Sequence, residues 1–184
     1  MYIDLGDIVI RDFERKDAPS LHRIVREKGI LRFMRDWSEG GAQPEGYYGF
    51  IDWMQKHKDN TNVWQNRRFA VVQKENDELI GMVGMGEEDL LHEVEVAYFM
   101  SEAWQRKGLT VRAVNALVDW CFTVSDIPYL ILTIDPANVP SCRLGEACGF
   151  ELFEKRTPIG HKQSVMESDS YYYYRRYRQP TATN

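Results

Sequence analysis

The stretch from Glu93 to Thr110, EVEVAYFMSEAWQRKGLT, constrains the fold more than any other. Val94, Val96, Tyr98 and Met100 alternate with Glu93, Glu95, Ala97 and Phe99, and this period of two predicts a strand with both faces partly covered. From Val111 the apolar residues Val111, Val114, Leu117, Val118, Cys121 and Phe122 recur every three or four positions, which is helical spacing. A strand therefore runs through a short turn, Gln105, Arg106, Lys107, Gly108, Leu109 and Thr110, into a helix. The first amides of a helix lack intrahelical partners and the helix dipole favours negative charge there, so this turn suits a phosphate group.

At 184 residues and 43% hydrophobic, the chain is long enough for one domain with a sizeable core, expected over residues 1–178, with 179–184 as a disordered tail. The net charge of −5 argues against non-specific nucleic-acid binding, which relies on clustered cations. Cys121, Cys142 and Cys148 are odd in number and fall in predicted helices, so they read as reduced, buried thiols. His22, His57, His92 and His161 have no ligand spacing, and no metal site is expected. The N-terminus has no basic start followed by an apolar run, and no segment reaches the roughly 20 apolar residues of a membrane span, which makes the cytosol the expected compartment.

In chain order, Ile3 to Phe13 reads as a first strand, and Asp17 as the N-cap of a helix that carries Leu21, Ile24 and Val25 and ends at Gly29. The segment from Ile30 to Pro44 reads as a loop or short helix. A helix after Pro44 carries Tyr47, Tyr48, Phe50, Ile51, Trp53 and Met54, rings that suit either a lined cleft or simple packing on a sheet. Phe69 to Val72 and Leu79 to Met85 form a hairpin through Asn76 and Asp77. Gly81, Gly84 and Gly86 sit in a strand pattern and open no helix, which excludes a nucleotide fingerprint. Tyr129 to Ile134 reads as a buried strand, Asn138 as the cap of the next helix with the Ser141 amide as its partner, and Glu151 to Lys155 as a strand. A polar loop, Thr157 to Glu167, and a last strand, Ser170 to Arg178, follow.

The run Gln105 to Thr110 resembles the pyrophosphate-binding signature of the GCN5-related N-acetyltransferases, departing from it only where Thr110 replaces a small residue. Asn138, Ser141, Leu144, Glu146, Gly149 and Phe150 resemble that family's second signature, and Glu95, Tyr98 and the closing Tyr/Arg strand are most similar to its RimJ/RimL branch. The resemblance implies an α/β fold with a mixed, mostly antiparallel sheet, flanking helices and a splayed parallel strand pair, closed by an edge strand at 171–178. It implies acetyl-CoA as cosubstrate, held by the turn Gln105, Arg106, Lys107, Gly108, Leu109 and Thr110, by Asn138 and Ser141, and by backbone amides of Phe99, Met100 and Ser101 at the splay. Glu95 is then the candidate general base, with Glu93 its rival on the same face. The tyrosine that many relatives carry four residues beyond Ser141 is Gly145 here, which makes Ser141 the candidate acid and Tyr98 a reserve.

These readings predict an acetyl-CoA-dependent N-acetyltransferase in which an amine attacks the thioester directly. The acceptor is a protein N-terminal amine or a small amine, with no membrane partner. Thr110 and Gly145 also keep open a non-catalytic acyl-CoA-binding or sensing module. Monomer and homodimer are both compatible with an exposed final strand carrying Arg175, Arg176 and Arg178.

Overall fold

The computed structural model describes residues 1–160 and 162–179, so His161 and most of the expected tail lie outside the described residues. Eight strands form one sheet: β1 (Tyr2–Asp4), β2 (Ile8–Arg11), β3 (Arg67–Gln73), β4 (Leu79–Glu88), β5 (Glu93–Met100), β6 (Tyr129–Ile134), β7 (Glu151–Arg156) and β8 (Tyr171–Tyr177). Their order is β1-β2-β3-β4-β5-β6-β8-β7, and every neighbouring pair is antiparallel except β5–β6. Helices α1 (Ala18–Ile24), α2 (Lys28–Phe33), α3 (Tyr48–Lys56), α4 (Leu109–Val124), α5 (Val139–Ala147) and α6 (Lys162–Val165) complete the fold. Among the described residues, no helix is long and apolar enough to cross a membrane.

Strand alternation divides the core into two layers. Ile8, Ile10, Phe69, Val71, Val94 and Val96 pack with Val114, Leu117 and Cys121 of α4. Val9, Ala70, Val72, Met82 and Phe99 face the other way, against Leu21 and Ile24 of α1 and Ile51 of α3. Burial pushes the thiols of Cys121 and Cys148 up to about 12 and about 11, so both stay protonated.

Three expectations are corrected. The first strand, read as one run from Ile3 to Phe13, is a tight hairpin of β1 and β2. Gly6 turns the chain at φ +93°, the Asp4 carboxylate accepts its amide at 2.9 Å, and the Leu5 amide donates to the Ile8 carbonyl. Gly29 does not end the first helix. The chain breaks after α1 because Glu27 is extended (ψ 137°) and its carboxylate accepts the Ser101 hydroxyl at 2.7 Å and the Glu102 amide at 2.5 Å. Gly29 lies inside α2, its amide donating to Glu102. Finally, the last strand is not an edge. β8 is inserted between β6 and β7, with Tyr173 and Tyr174 fully buried. The arginines at its end are half-buried and bonded: Arg175 pairs with Glu93, Arg176 donates to Asn115 Oδ1 and the Cys148 carbonyl, and Arg178, just past the strand, donates to the Phe122 carbonyl. The edge is β7, where Leu152 and Phe153 are exposed.

Candidate active site

The parallel partners β5 and β6 meet at a single register pair, Glu95 with Ile131, and then separate. The phase of the β4–β5 ladder fixes what faces the gap. The Ser101 amide donates to the Ile80 carbonyl at 2.8 Å. Hydrogen-bonded residues alternate along an antiparallel ladder, so Phe99 and Ala97 also pair with β4, whereas the amides of Tyr98 and Met100 face β6. Of the three residues expected to offer amides at the splay, Met100 alone directs its N–H into the gap. Phe99 is buried on the α1 side, its ring edge-on to Trp37, and the Ser101 hydroxyl is committed to Glu27.

Glu95 holds the strands apart. Its Oε1 accepts the Thr133 amide at 3.0 Å and also the Thr133 hydroxyl. The β6 amide is thereby satisfied by a side chain where continued pairing would have used the β5 backbone. Glu95 is half-buried and lines a cavity of about 230 Å³ in the splay, with Ala97, Tyr98, Thr133, Asp135, Ser141 and Lys162 among its walls. Glu93, two residues earlier on the same face, lies outside that cavity. Its carboxylate accepts the hydroxyls of Tyr129 at 2.6 Å and Tyr173 at 2.7 Å and pairs with Arg175 at 3.4 Å.

On the opposite side of the gap, the Tyr98 hydroxyl lies 2.8 Å from Ser141 Oγ and 3.3 Å from the Ser141 carbonyl. Burial pushes the Tyr98 phenol well above its ordinary range, with the Ser141 hydrogen bond pulling the other way, so it is protonated at neutral pH. Asn138 caps α5 as its sequence predicts, its Oδ1 accepting the Ser141 amide at 3.3 Å. Gly145 packs on the sheet: a Cβ there would stand 3.1 Å from Leu132 Cδ1, so a side chain at 145 would meet β6. A tyrosine hydroxyl reaches Ser141 from β5 instead of α5.

The turn before α4 is open and cationic. Gln105 to Gly108 are exposed, Arg106 and Gly108 take left-handed conformations (φ 59° and 73°), the Gln105 amide donates to the Glu102 carbonyl at 3.4 Å, and the first amide of α4 to bond back is that of Arg112, which donates to the Gly108 carbonyl. The amides of Leu109, Thr110 and Val111 therefore remain at the positive end of a 16-residue helix. A Cβ on Gly108 would meet nothing within 4 Å, so backbone approach to the turn is unobstructed. Lys107 Nζ sits 4.2 Å from the Trp104 ring, Gln105 donates to the Met100 carbonyl at 2.9 Å, Leu109 anchors the turn in the core, and Thr110 is half-buried behind it.

Two cavity walls come from segments that sequence patterns describe only as irregular. Phe33, Met34 and Asp36 form one, while Tyr48 and Phe50 of α3 pack on the core, Trp53 is exposed, and none of the three lines the cavity. The other is the segment from Lys162 to Ser168. Asp135 ties it down: its carboxylate accepts the Glu167 amide at 2.6 Å, the Ser168 amide at 3.0 Å and the Ser168 hydroxyl at 2.5 Å. Burial works against the Asp135 charge, but these bonds and the Ala137 amide outweigh it and hold its pKa below the ordinary carboxylate range. Arg32 of α2 pairs with Glu167 of this segment at 2.7 Å. No periodicity marks these contacts, which join residues far apart in sequence.

Residues 7–151 match the family model of the acetyltransferase (GNAT) domain. The chain is 26% identical over 177 residues to the uncharacterized N-acetyltransferase YnaD of Bacillus subtilis, covering 94% of this chain and 95% of that one. It is 26% identical to the spermidine N(1)-acetyltransferase of Escherichia coli, over 79% of this chain and 73% of that one. In structure it resembles the ribosomal-protein-S5-alanine acetyltransferase of Vibrio fischeri, with a TM-score of 0.77, 19% identity and 98% of each chain covered.

Proposed function

The chain belongs to the GNAT acetyltransferase family, and from that premise we propose that it transfers acetyl from acetyl-CoA to a primary amine that attacks the thioester directly. One observation carries this reading: Glu95 and the Tyr98–Ser141 pair lie on opposite faces of the sheet and meet only through the gap between β5 and β6. A base on one face and hydroxyl donors on the other suit a reaction in which the amine arrives from one side and the leaving group departs from the other.

Acetyl-CoA brings an acetyl group on sulfur, a bond that breaks readily when the departing thiolate is protonated. The residues present fit it. The turn Gln105 to Thr110 offers helix-terminal amides and two cations to a pyrophosphate, and the backbone N–H and C=O of Tyr98 offer a strand-like edge to the pantetheine arm. The Met100 N–H is placed to donate to the carbonyl oxygen as negative charge grows there. Glu95 takes the proton of the amine, and Ser141, backed by the Tyr98 hydroxyl, gives one to the departing sulfur.

The acceptor we propose is a cationic primary amine, either a small amine such as a polyamine or a protein N-terminus, because Asp36 and Glu95 face the cavity. The spermidine enzyme among the relatives and the S5-alanine enzyme among the structural neighbours support the two forms of this reading. Calorimetric titration with acetyl-CoA, followed by thiol-release assays against spermidine, small amines and alanine-starting peptides, tests it. Saturable binding with turnover on one class names the acceptor. Binding without turnover on any amine would leave the chain an acyl-CoA-binding module, and no binding would remove the pyrophosphate role of the turn.

Ser141→Ala is expected to lower kcat about tenfold, since water can replace a single hydroxyl donor, while acetyl-CoA affinity stays within about twofold. Wild-type kcat in that variant would take Ser141 out of the acid role.

A further inference from the structure

Lys162 is a buried ammonium beside the active site: it is 5% exposed, and its Nζ donates to Thr133 Oγ1 at 2.8 Å and pairs with Glu88 Oε1 at 3.3 Å. Thr133 Oγ1 in turn donates to Glu95 Oε1. An ammonium only donates, and a hydroxyl has one hydrogen to give. With Lys162 donating to the Thr133 oxygen, that single hydrogen is directed at Glu95, and the chain Lys162 to Thr133 to Glu95 runs one way.

We propose that Lys162 and Thr133 are positioning residues for Glu95. The inference rests on Glu95 being the base. Two donors from Thr133, its amide and its hydroxyl, fall on the same oxygen of Glu95. They pin Oε1, and the proton of the incoming amine goes to Oε2. Without the ammonium, the Thr133 hydroxyl is free to rotate away, and the carboxylate swings on one remaining bond. A small misplacement of a reacting group is costly in rate without being costly in binding. The segment from Lys162 to Ser168, tied at Asp135 and at Arg32, thus delivers part of the catalytic alignment and does more than wall the cavity.

The test is steady-state kinetics on Lys162→Met, Thr133→Val, Thr133→Ser and Glu95→Gln, and on Lys162→Met and Thr133→Val each combined with Glu95→Gln. The acceptor is whichever amine the panel identifies. Lys162→Met and Thr133→Val are expected to lower kcat about tenfold with the amine KM within about twofold, and Thr133→Ser to keep near-wild-type kcat. In the Glu95→Gln background neither change should lower kcat further, because each acts only through that carboxylate. Equal losses in both backgrounds would make the two residues merely structural and overturn the inference while leaving Glu95 as base. Wild-type turnover in Glu95→Gln would instead overturn the base assignment and this inference with it. Should Lys162→Met fail to fold, the Val and Ser variants at Thr133 decide the matter with the Lys162–Glu88 pair intact.

Discussion

Glu95→Gln is expected to lower kcat by about 10²–10⁴, the usual worth of a positioned general base, with acetyl-CoA affinity unchanged. The substitution is chosen to separate chemistry from architecture. Glutamine keeps an oxygen that accepts the Thr133 amide and hydroxyl, so the strands stay splayed and the cavity keeps its shape. It loses only the capacity to hold a proton. The turn from Gln105 to Thr110, where the cofactor's phosphates are proposed to sit, is outside the cavity that Glu95 lines. Glu93→Gln is the matched control: its carboxylate serves Tyr129, Tyr173 and Arg175, so the loss should appear in stability and leave kcat near wild type. Single-turnover rates for both variants, beside a direct acetyl-CoA titration, give the comparison. A Glu95→Gln enzyme within about threefold of wild-type kcat would mean that water or another group deprotonates the amine.

That pair of glutamates also marks how far the sequence could be read. The period of two across Glu93 to Met100 placed both carboxylates on one face, and it was right to do so. Nothing local distinguishes them, because the difference is made by β6: beyond the Glu95–Ile131 pair the Thr133 amide and hydroxyl meet Glu95, whereas on the other side of that pair the Tyr129 hydroxyl meets Glu93. Local signals served well where the physics is local. The strand, turn and helix from Glu93 onward, the Asn138 cap and the hairpin at Asp77 all depend on residues within a few positions of one another. The site's other wall depends on long-range contacts. Lys162 and Asp135 enter it through bonds spanning about thirty residues of chain, in a segment whose composition reads only as polar. The strand order escaped notice for a similar reason. Tyrosine alternation announces a strand at 171–177, yet only its neighbours decide that it is inserted between β6 and β7.

Asp17→Ala is expected to destabilise the fold by about 3–5 kcal/mol, far more than the roughly 1 kcal/mol of a lost helix cap. The sequence places Asp17 as the N-cap of α1, and it does sit at that position, but its side chain makes no cap hydrogen bond. It is 2% exposed and grips Arg11 of β2 with both oxygens, Oδ2 to Nη1 and Oδ1 to Nη2, each at 2.8 Å, while Oδ2 also accepts the Glu14 amide. Burial opposes the charge on Arg11, and the bonds to Asp17 and Asp77 outweigh it, raising its pKa further. Alanine at 17 would leave that guanidinium buried with the more exposed Asp77 as its remaining carboxylate, at 2.9 Å, beside the neutral Asp12 carbonyl at 3.0 Å. The expense lies in the stranded charge and less in the pair itself, so Arg11→Met combined with Asp17→Leu should recover most of the loss. Urea unfolding of the two variants measures this directly. A drop of about 1 kcal/mol for Asp17→Ala, or a double variant no more stable than the single, would return Asp17 to the ordinary capping role that its sequence position suggests. Turnover per folded molecule should hold in either case, since neither residue lines the cavity between β5 and β6.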